Sequence, residues 1–202
     1  TPKNLGPNIN SNMMEYIPSI SIDDSTLVFT RKIPVDNEDF FQSKKINNEW
    51  QPATPISELN TLNNEGAQTI SADGKTLIYA SCVGNGRDNC QMDLFISKFE
   101  NGHWTKAKNM GSPINTPGWE SYPSLNSNGK RIYFASKRVG GKGEVDLWSS
   151  DLKNDGLWSI PENLGDSINT EGVEQAPFIH PDGNSLYLCR TDTQEWADLI
   201  YI

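Results

Sequence analysis

Glu120 to Ser136 reads E-S-Y-P-S-L-N-S-N-G-K-R-I-Y-F-A-S, and the chain of 202 residues contains this motif four times. The other copies are E-Y-I-P-S-I-S-I-D-D-S-T-L-V-F-T from Glu15, E-G-A-Q-T-I-S-A-D-G-K-T-L-I-Y-A from Glu65 and E-Q-A-P-F-I-H-P-D-G-N-S-L-Y-L-C from Glu174. The four glutamates are 50, 55 and 54 residues apart. Self-similarity at a period of this size marks a repeat architecture.

Working outward, each copy is followed by further shared features. Asp39-Phe40-Phe41, Asp93-Leu94-Phe95, Asp146-Leu147-Trp148 and Asp198-Leu199-Ile200 recur at intervals of 54, 53 and 52. Trp50, Trp104 and Trp158 come eleven or twelve residues after the aspartates. A link reads L-G-P-N-I-N from Leu5, M-G-S-P-I-N from Met110 and L-G-D-S-I-N from Leu164, with a degenerate copy, E-L-N-T-L-N, from Glu58. The first segment of each repeat has strand-like alternation. It meets a turn dipeptide (Asp23-Asp24, Asp73-Gly74, Asn128-Gly129 or Asp182-Gly183) that tolerates the positive φ of tight hairpins. The second segment is continuously apolar, as in Ile132-Tyr133-Phe134, which implies burial on both faces. The Asp opens a third segment and the Trp a fourth.

Four short strands per repeat make the blade of a β-propeller. The expected fold is therefore all-β, a propeller of four blades with four antiparallel strands each, in a single domain over residues 1–202. The repeats cover residues 10–59, 60–114, 115–168 and 169–202 plus 1–9. The last repeat ends after its third strand, and Thr1-Pro2-Lys3-Asn4-Leu5-Gly6 matches Ile160-Pro161-Glu162-Asn163-Leu164-Gly165. The N-terminal strand is thus expected to complete the last blade and close the ring, removing exposed strand edges. The competing arrangement is a fragment of a six- to eight-bladed ring.

The D-G-K-x-I-Y-F-A-S pattern followed by D-L-W closely resembles the WD40-like β-propeller repeat of the TolB type, best in the third repeat through Ser136-Lys137-Arg138 and Gly140-Gly141-Lys142-Gly143. The resemblance spans essentially the whole chain and concerns the residues that build blades. It implies a bacterial cell-envelope setting: periplasmic, outer-membrane-associated or secreted.

Seventeen basic against 26 acidic residues give a net charge of −9, which argues against nucleic acid and anionic membrane surfaces as partners. No apolar run approaches the roughly 20 residues of a membrane-spanning helix. The start at Thr1 without Met reads as a processed or excised product. A monomer is expected. Cys82 and Cys90 flank one loop and are a candidate disulfide, which would imply an oxidising compartment, whereas Cys189 lies in an apolar run as a buried thiol.

Antiparallel strands sort the loops into two faces. The tight turns after strands one and three share one face; the longer loops after strand two and the links share the other, where binding residues are expected. There Glu15, Glu65, Glu120 and Glu174 are expected to ring the mouth of the central channel and to suit a hard cation such as Ca²⁺, which takes oxygen ligands. The bland alternative is that each bonds its own link or a neighbouring Arg or Lys. Each landmark Asp is expected to cap its preceding loop. The exit of strand two is Ser81 and Ser136 in the middle repeats but Arg31 and Arg190 in the outer ones, so these two arginines are a candidate anion clamp, or else pair with the glutamates. Trp119, Trp196, Tyr16, Tyr122 and Gln175 complete the candidate ligand-binding set.

Both histidines, His103 and His180, fall on the opposite face, and there is neither a G-x-S-x-G elbow nor a zinc-type cluster. The favoured reading is a non-catalytic module recognising a protein, glycan or small ligand. The alternative is a small lyase or hydrolase acting on a sugar or other anionic substrate, with Glu120 and Glu174 as acid and base.

Overall fold

The computed structural model describes residues 1–34, 37–83, 91–191 and 197–201. Cys90 and Trp196, both singled out above, lie outside them. No helix occurs among the described residues, and the strands form four antiparallel sheets that follow the four repeats. The first contains β1 (Glu15–Ile20), β2 (Thr26–Ile33), β3 (Asn37–Ile46), β4 (Glu49–Trp50) and β5 (Thr54–Pro55). The second contains β6 (Glu65–Ile70), β7 (Thr76–Val83), β8 (Gln91–Glu100), β9 (His103–Trp104) and β10 (Lys108–Asn109). The third contains β11 (Glu120–Leu125), β12 (Arg131–Ser136), β13 (Asp146–Asp151) and β14 (Glu162–Asn163), and the fourth β15 (Val173–Ile179), β16 (Leu186–Thr191) and β17 (Ala197–Tyr201).

The tight turns form as their sequences require. Gly74, Gly129 and Gly183 adopt positive φ after strand one, and Asp24 takes the same position at φ 56°. The preceding polar residue locks each turn through its side chain: Asp23 Oδ1 accepts from the Ser25 amide and Asp73 Oδ1 from the Lys75 amide, at 3.1 and 3.0 Å. Strand two is buried as its apolar run demands, with Leu77, Ile78, Ile132, Phe134 and Leu188 inaccessible to solvent. The fourth strand is shorter than expected: in the first two repeats it is split into pairs of two-residue ladders.

Successive sheets stack through their inner strands. β6 packs on β1, β2 and β3; β11 packs on β6, β7 and β8; β15 packs on β11, β12 and β13. One hydrogen bond recurs at each junction: the hydroxyls of Ser19, Thr69 and Ser124 accept from the amides of Ile70, Leu125 and Ile179 in the next blade, at 2.9, 3.2 and 3.0 Å. Apolar clusters fill these junctions. The fully buried Trp104 lies with Val28 and Phe40 between blades one and two, and its indole donates to Gln42 Oε1 at 3.2 Å.

The junction between the last and first sheets differs. Among the described residues β15–β17 make no comparable packing with β1–β3, and the position equivalent to Ser124 is Phe178, which has no hydroxyl to offer. Residues 1–14 carry no strand, and among the described residues the fourth sheet has three strands. In the other blades a tight turn tethers strand four to strand three and a Trp packs it down.

Candidate functional site

The second half of each inner strand surrounds a common axis. β1, β6, β11 and β15 each break register at one bulge, which puts Ile17, Ala67, Tyr122 and Ala176 at φ of 48°, 48°, 50° and 51°. Left-handed backbone in four non-glycine residues, one β-branched, is strained and persists only where the surroundings enforce it. These four residues line one cavity of about 620 Å³. Its wall continues through Pro18, Ile20, Ile22, Ala72, Asn126, Phe178 and Pro181 towards the tight turns, so it opens on the turn face rather than the loop face. Ile20, Ile22 and Phe178 are exposed at 48%, 65% and 54%. The wall also carries polar residues, among them Asp24, Gln68 and Asn126; Gln68 is spoken for, since its Nε2 donates to the carbonyls of Ile17 and Val28 and its Oε1 accepts from Thr30 Oγ1.

The glutamates do not ring the mouth. Glu65, Glu120 and Glu174 are completely buried and Glu15 nearly so, each turned back into its own link. Every link has the pattern N-[S/T]-x-x-x-E, and the Ser or Thr clasps the Glu through both its amide and its hydroxyl. The amides of Ser11, Thr61, Thr116 and Thr170 donate at 3.2, 3.0, 2.9 and 2.9 Å, and their hydroxyls at 2.6, 2.6, 2.8 and 2.5 Å. Strand two supplies the third donor from the register partner: Arg31 to Glu15, Ser81 to Glu65, Ser136 to Glu120 and Arg190 to Glu174. Among the described residues no three acidic, His or Cys side chains gather as a metal cluster. Proximity of Cα atoms to the axis did not set the side-chain direction; the clasp did.

The arginine clamp is likewise dispersed. Arg31 and Arg190 each bind their own blade's Glu, at 2.7 and 3.1 Å, and then donate to the link carbonyls of Ile9 and Ile168, at 2.8 and 2.5 Å. In the third repeat Ser136 replaces this arginine, and Arg138 reaches back from two residues later to Ile114 O and to Glu120, 3.6 Å away. The surroundings divide the carboxylates electrostatically. Burial pushes Glu15 up, but the bonds from Ser11 and Arg31 outweigh it and hold its carboxyl below the ordinary range. Burial wins at Glu65, whose carboxyl is pushed up despite the bonds from Thr61 and Ser81.

Trp119 is half-buried against Tyr122, ring centroids 6.1 Å apart, and covers the cluster between blades three and four. Gln175 is half-buried on β15 opposite Cys189, which is a free thiol. Tyr16 and Tyr122 both feel the charge of Glu38. Burial and then the hydrogen bond and charge of Glu38 push the Tyr16 hydroxyl up; burial, then Glu38, raises Tyr122. Glu38 was missed by sequence reasoning. Its signal is a departure from the repeat, since the matching positions are Met92, Val145 and Ala197.

The landmark aspartates behave individually. Asp146 caps its preceding loop, accepting from the Lys142 and Gly143 amides, whereas Asp93 accepts from Asn109 at 2.6 Å and Asp39 from Asn37 at 3.0 Å. Cys82 is disulfide-bonded.

No family model matches the sequence, and no curated protein matches it either. Solved structures do resemble it in fold. TolB from Acinetobacter baumannii is 14% identical with a TM-score of 0.65, over 96% of this chain and 42% of TolB. The α-L-arabinofuranosidase from Lactobacillus brevis is 17% identical with a TM-score of 0.64, over 96% of this chain and 68% of the enzyme. The tricorn protease is 9% identical with a TM-score of 0.55, over 93% of this chain and 22% of the protease. The chain thus has a TolB-type propeller fold and spans less than half the length of that TolB.

Proposed function

We propose that this chain is a non-catalytic recognition module of the bacterial cell envelope, taking an apolar side chain of a protein partner, or a small apolar ligand, into the cavity between its inner strands. The carrying observation is that cavity: four strained bulges around an apolar space with Ile20, Ile22 and Phe178 exposed at its mouth. Concave, apolar and preformed is what ligand sites require, and monomeric proteins rarely leave such groups exposed together without use. The cavity's opening moves the favoured face from the long loops to the tight turns. The clasped, solvent-inaccessible Glu120 and Glu174 weigh against the enzymatic reading, because an acid–base pair must reach its substrate. A disulfide at Cys82 supports an oxidising, extracytoplasmic location.

The architecture proposed with this function is a ring closed by the chain's own N-terminal link. Asn4, Gly6 and Asn10 repeat the bonding of Asn109, Gly111 and Asn115, with Asn10 Nδ2 donating to Asn4 Oδ1 at 2.9 Å and the Gly6 amide at 2.7 Å. That preformed link supports docking on β17. The experiment on function is an NMR titration with capped tri- and tetrapeptides bearing a central Trp or Leu. Amides of Ala67, Tyr122 and Ala176 are expected to shift, and Ala176→Trp to abolish the response. Shifts confined to the loop face, around Tyr16 and Glu38, would overturn the reading.

A further inference from the structure

The space between blades two and three is not filled like that between blades one and two. Blade two inserts Trp104 and Phe99 towards blade one, edge to face at 5.3 Å, and Gln42 receives the indole N–H. In blade three the corresponding residues are Trp158 and Leu152, and Gln42 is matched by Ile96. A leucine in place of a phenylalanine, and an indole without that acceptor, leave Trp158 half-buried beside a groove of about 790 Å³. Its floor is apolar, formed by Ile78, Ile96, Met110, Leu125, Leu152 and Trp158.

The rim is cationic in a protein of net charge −9. Lys98, Lys108 and Lys153 line it, and all three are exposed. Lys98 donates to Thr76 Oγ1 at 2.8 Å, while among the described residues Lys108 and Lys153 have no side-chain partner. The single acid in the lining, Asp73, is already engaged by Ser71 Oγ and the Lys75 amide, at 2.5 and 3.0 Å. An apolar trough with an indole wall and ammonium groups on its edge is complementary to a flat or flexible apolar body ending in one negative charge.

We infer that this groove is a second ligand site, distinct from the central cavity, for a small amphiphilic carboxylate with an aromatic or alkyl body. The body lies on Leu152 and the Trp158 indole, and the carboxylate meets Lys108 and Lys153. The test compares 4-phenylbutyrate with its uncharged amide, 4-phenylbutanamide, followed by NMR at the Trp158 indole N–H. The acid is expected to bind more tightly, by about two- to fivefold for each lysine engaged at low salt, with the preference shrinking as salt screens the rim. Lys108→Gln with Lys153→Gln should remove the preference and leave amide binding intact. Leu152→Phe restores the residue that fills the neighbouring junction and should abolish binding of both probes. Equal binding of acid and amide, unaltered binding to Leu152→Phe, no shift at Trp158 at millimolar probe, or shifts at Ala67 and Tyr122 instead would each overturn the proposal.

Discussion

Asn115 joins two blades through one side chain, and its removal gives a sharp test of how the blades are held. Its Oδ1 accepts from the Leu94 amide and its Nδ2 donates to the Leu94 carbonyl, both at 2.9 Å, with a third bond to Asn109 Oδ1 at 2.8 Å. Leu94 is wholly buried, so no water replaces these bonds when the amide is lost. Asn115→Ala leaves one buried donor and one buried acceptor unpaired. At roughly 1–3 kcal/mol for each orphaned group, the cost centres near 4 kcal/mol, or a fall in Tm of about 8–16 °C for a chain of this size. Asn60 grips Phe40 and Asn169 grips Leu147 in the same way, and their alanine variants should behave alike. Differential scanning calorimetry gives the loss, and hydrogen exchange at the Leu94 amide localises it. A loss below about 0.5 kcal/mol, with Leu94 exchange unchanged, would refute the reasoning, because orphaned buried groups cannot be that cheap. Asn10→Ala then reads the seam: a comparable loss is expected if the N-terminal link docks on the fourth blade, and no loss if it hangs free.

The remaining expectations concern charge and backbone space. Glu15, with its carboxyl held low, stabilises above its unfolded pKa and loses that contribution as pH falls through the folded one; Glu65, held high, contributes most in acid and less as pH rises. Wild-type minus Glu15→Gln and wild-type minus Glu65→Gln stabilities, from urea midpoints between about pH 4 and 7, should therefore slope in opposite directions, and parallel slopes would contradict the assignment. Gly143→Ala should cost about 2 kcal/mol or more, since a Cβ there would sit 2.2 Å from Gly172 O and 2.7 Å from Thr170 O. Gly156→Ala, at φ +83° but facing open space, should cost only about 1 kcal/mol by the same thermal assay.

The repeat carried the strands because it carried their chemistry: apolar runs where β7 and β12 are buried, Asp and Asn where turns need a side-chain acceptor, Gly where φ is positive. It misaligned the second link. There Ile56 occupies the position of Gly6, its carbonyl accepting from the Leu59 and Asn60 amides as Gly6 O accepts from Ile9 and Asn10. The working link is therefore Pro55–Asn60, three residues before the stretch that its spelling suggested. The glutamates were located correctly along the chain but not in direction. The N-[S/T]-x-x-x-E spacing was present in all four links, and a hydroxyl four residues ahead of a carboxylate is a local partner that outcompetes a distant axis.

What the symmetry explains and what it leaves over are different kinds of residue. The clasp, the bidentate Asn and the hydroxyl between inner strands recur because every blade needs the same bonds, so their presence says nothing about a ligand. Phe178 in place of a hydroxyl, Leu152 in place of Phe99 and Glu38 in place of an apolar residue each give up such a bond or such packing. Phe178 leaves an apolar side chain at the mouth of the central cavity, Leu152 opens the groove beside Trp158, and Glu38 adds a carboxylate whose charge raises both Tyr16 and Tyr122. A repeat under selection for stability alone would restore the consensus at each, since doing so fills space or pairs a donor. Phe178 and Leu152 line cavities, where an outside molecule can supply the missing contact.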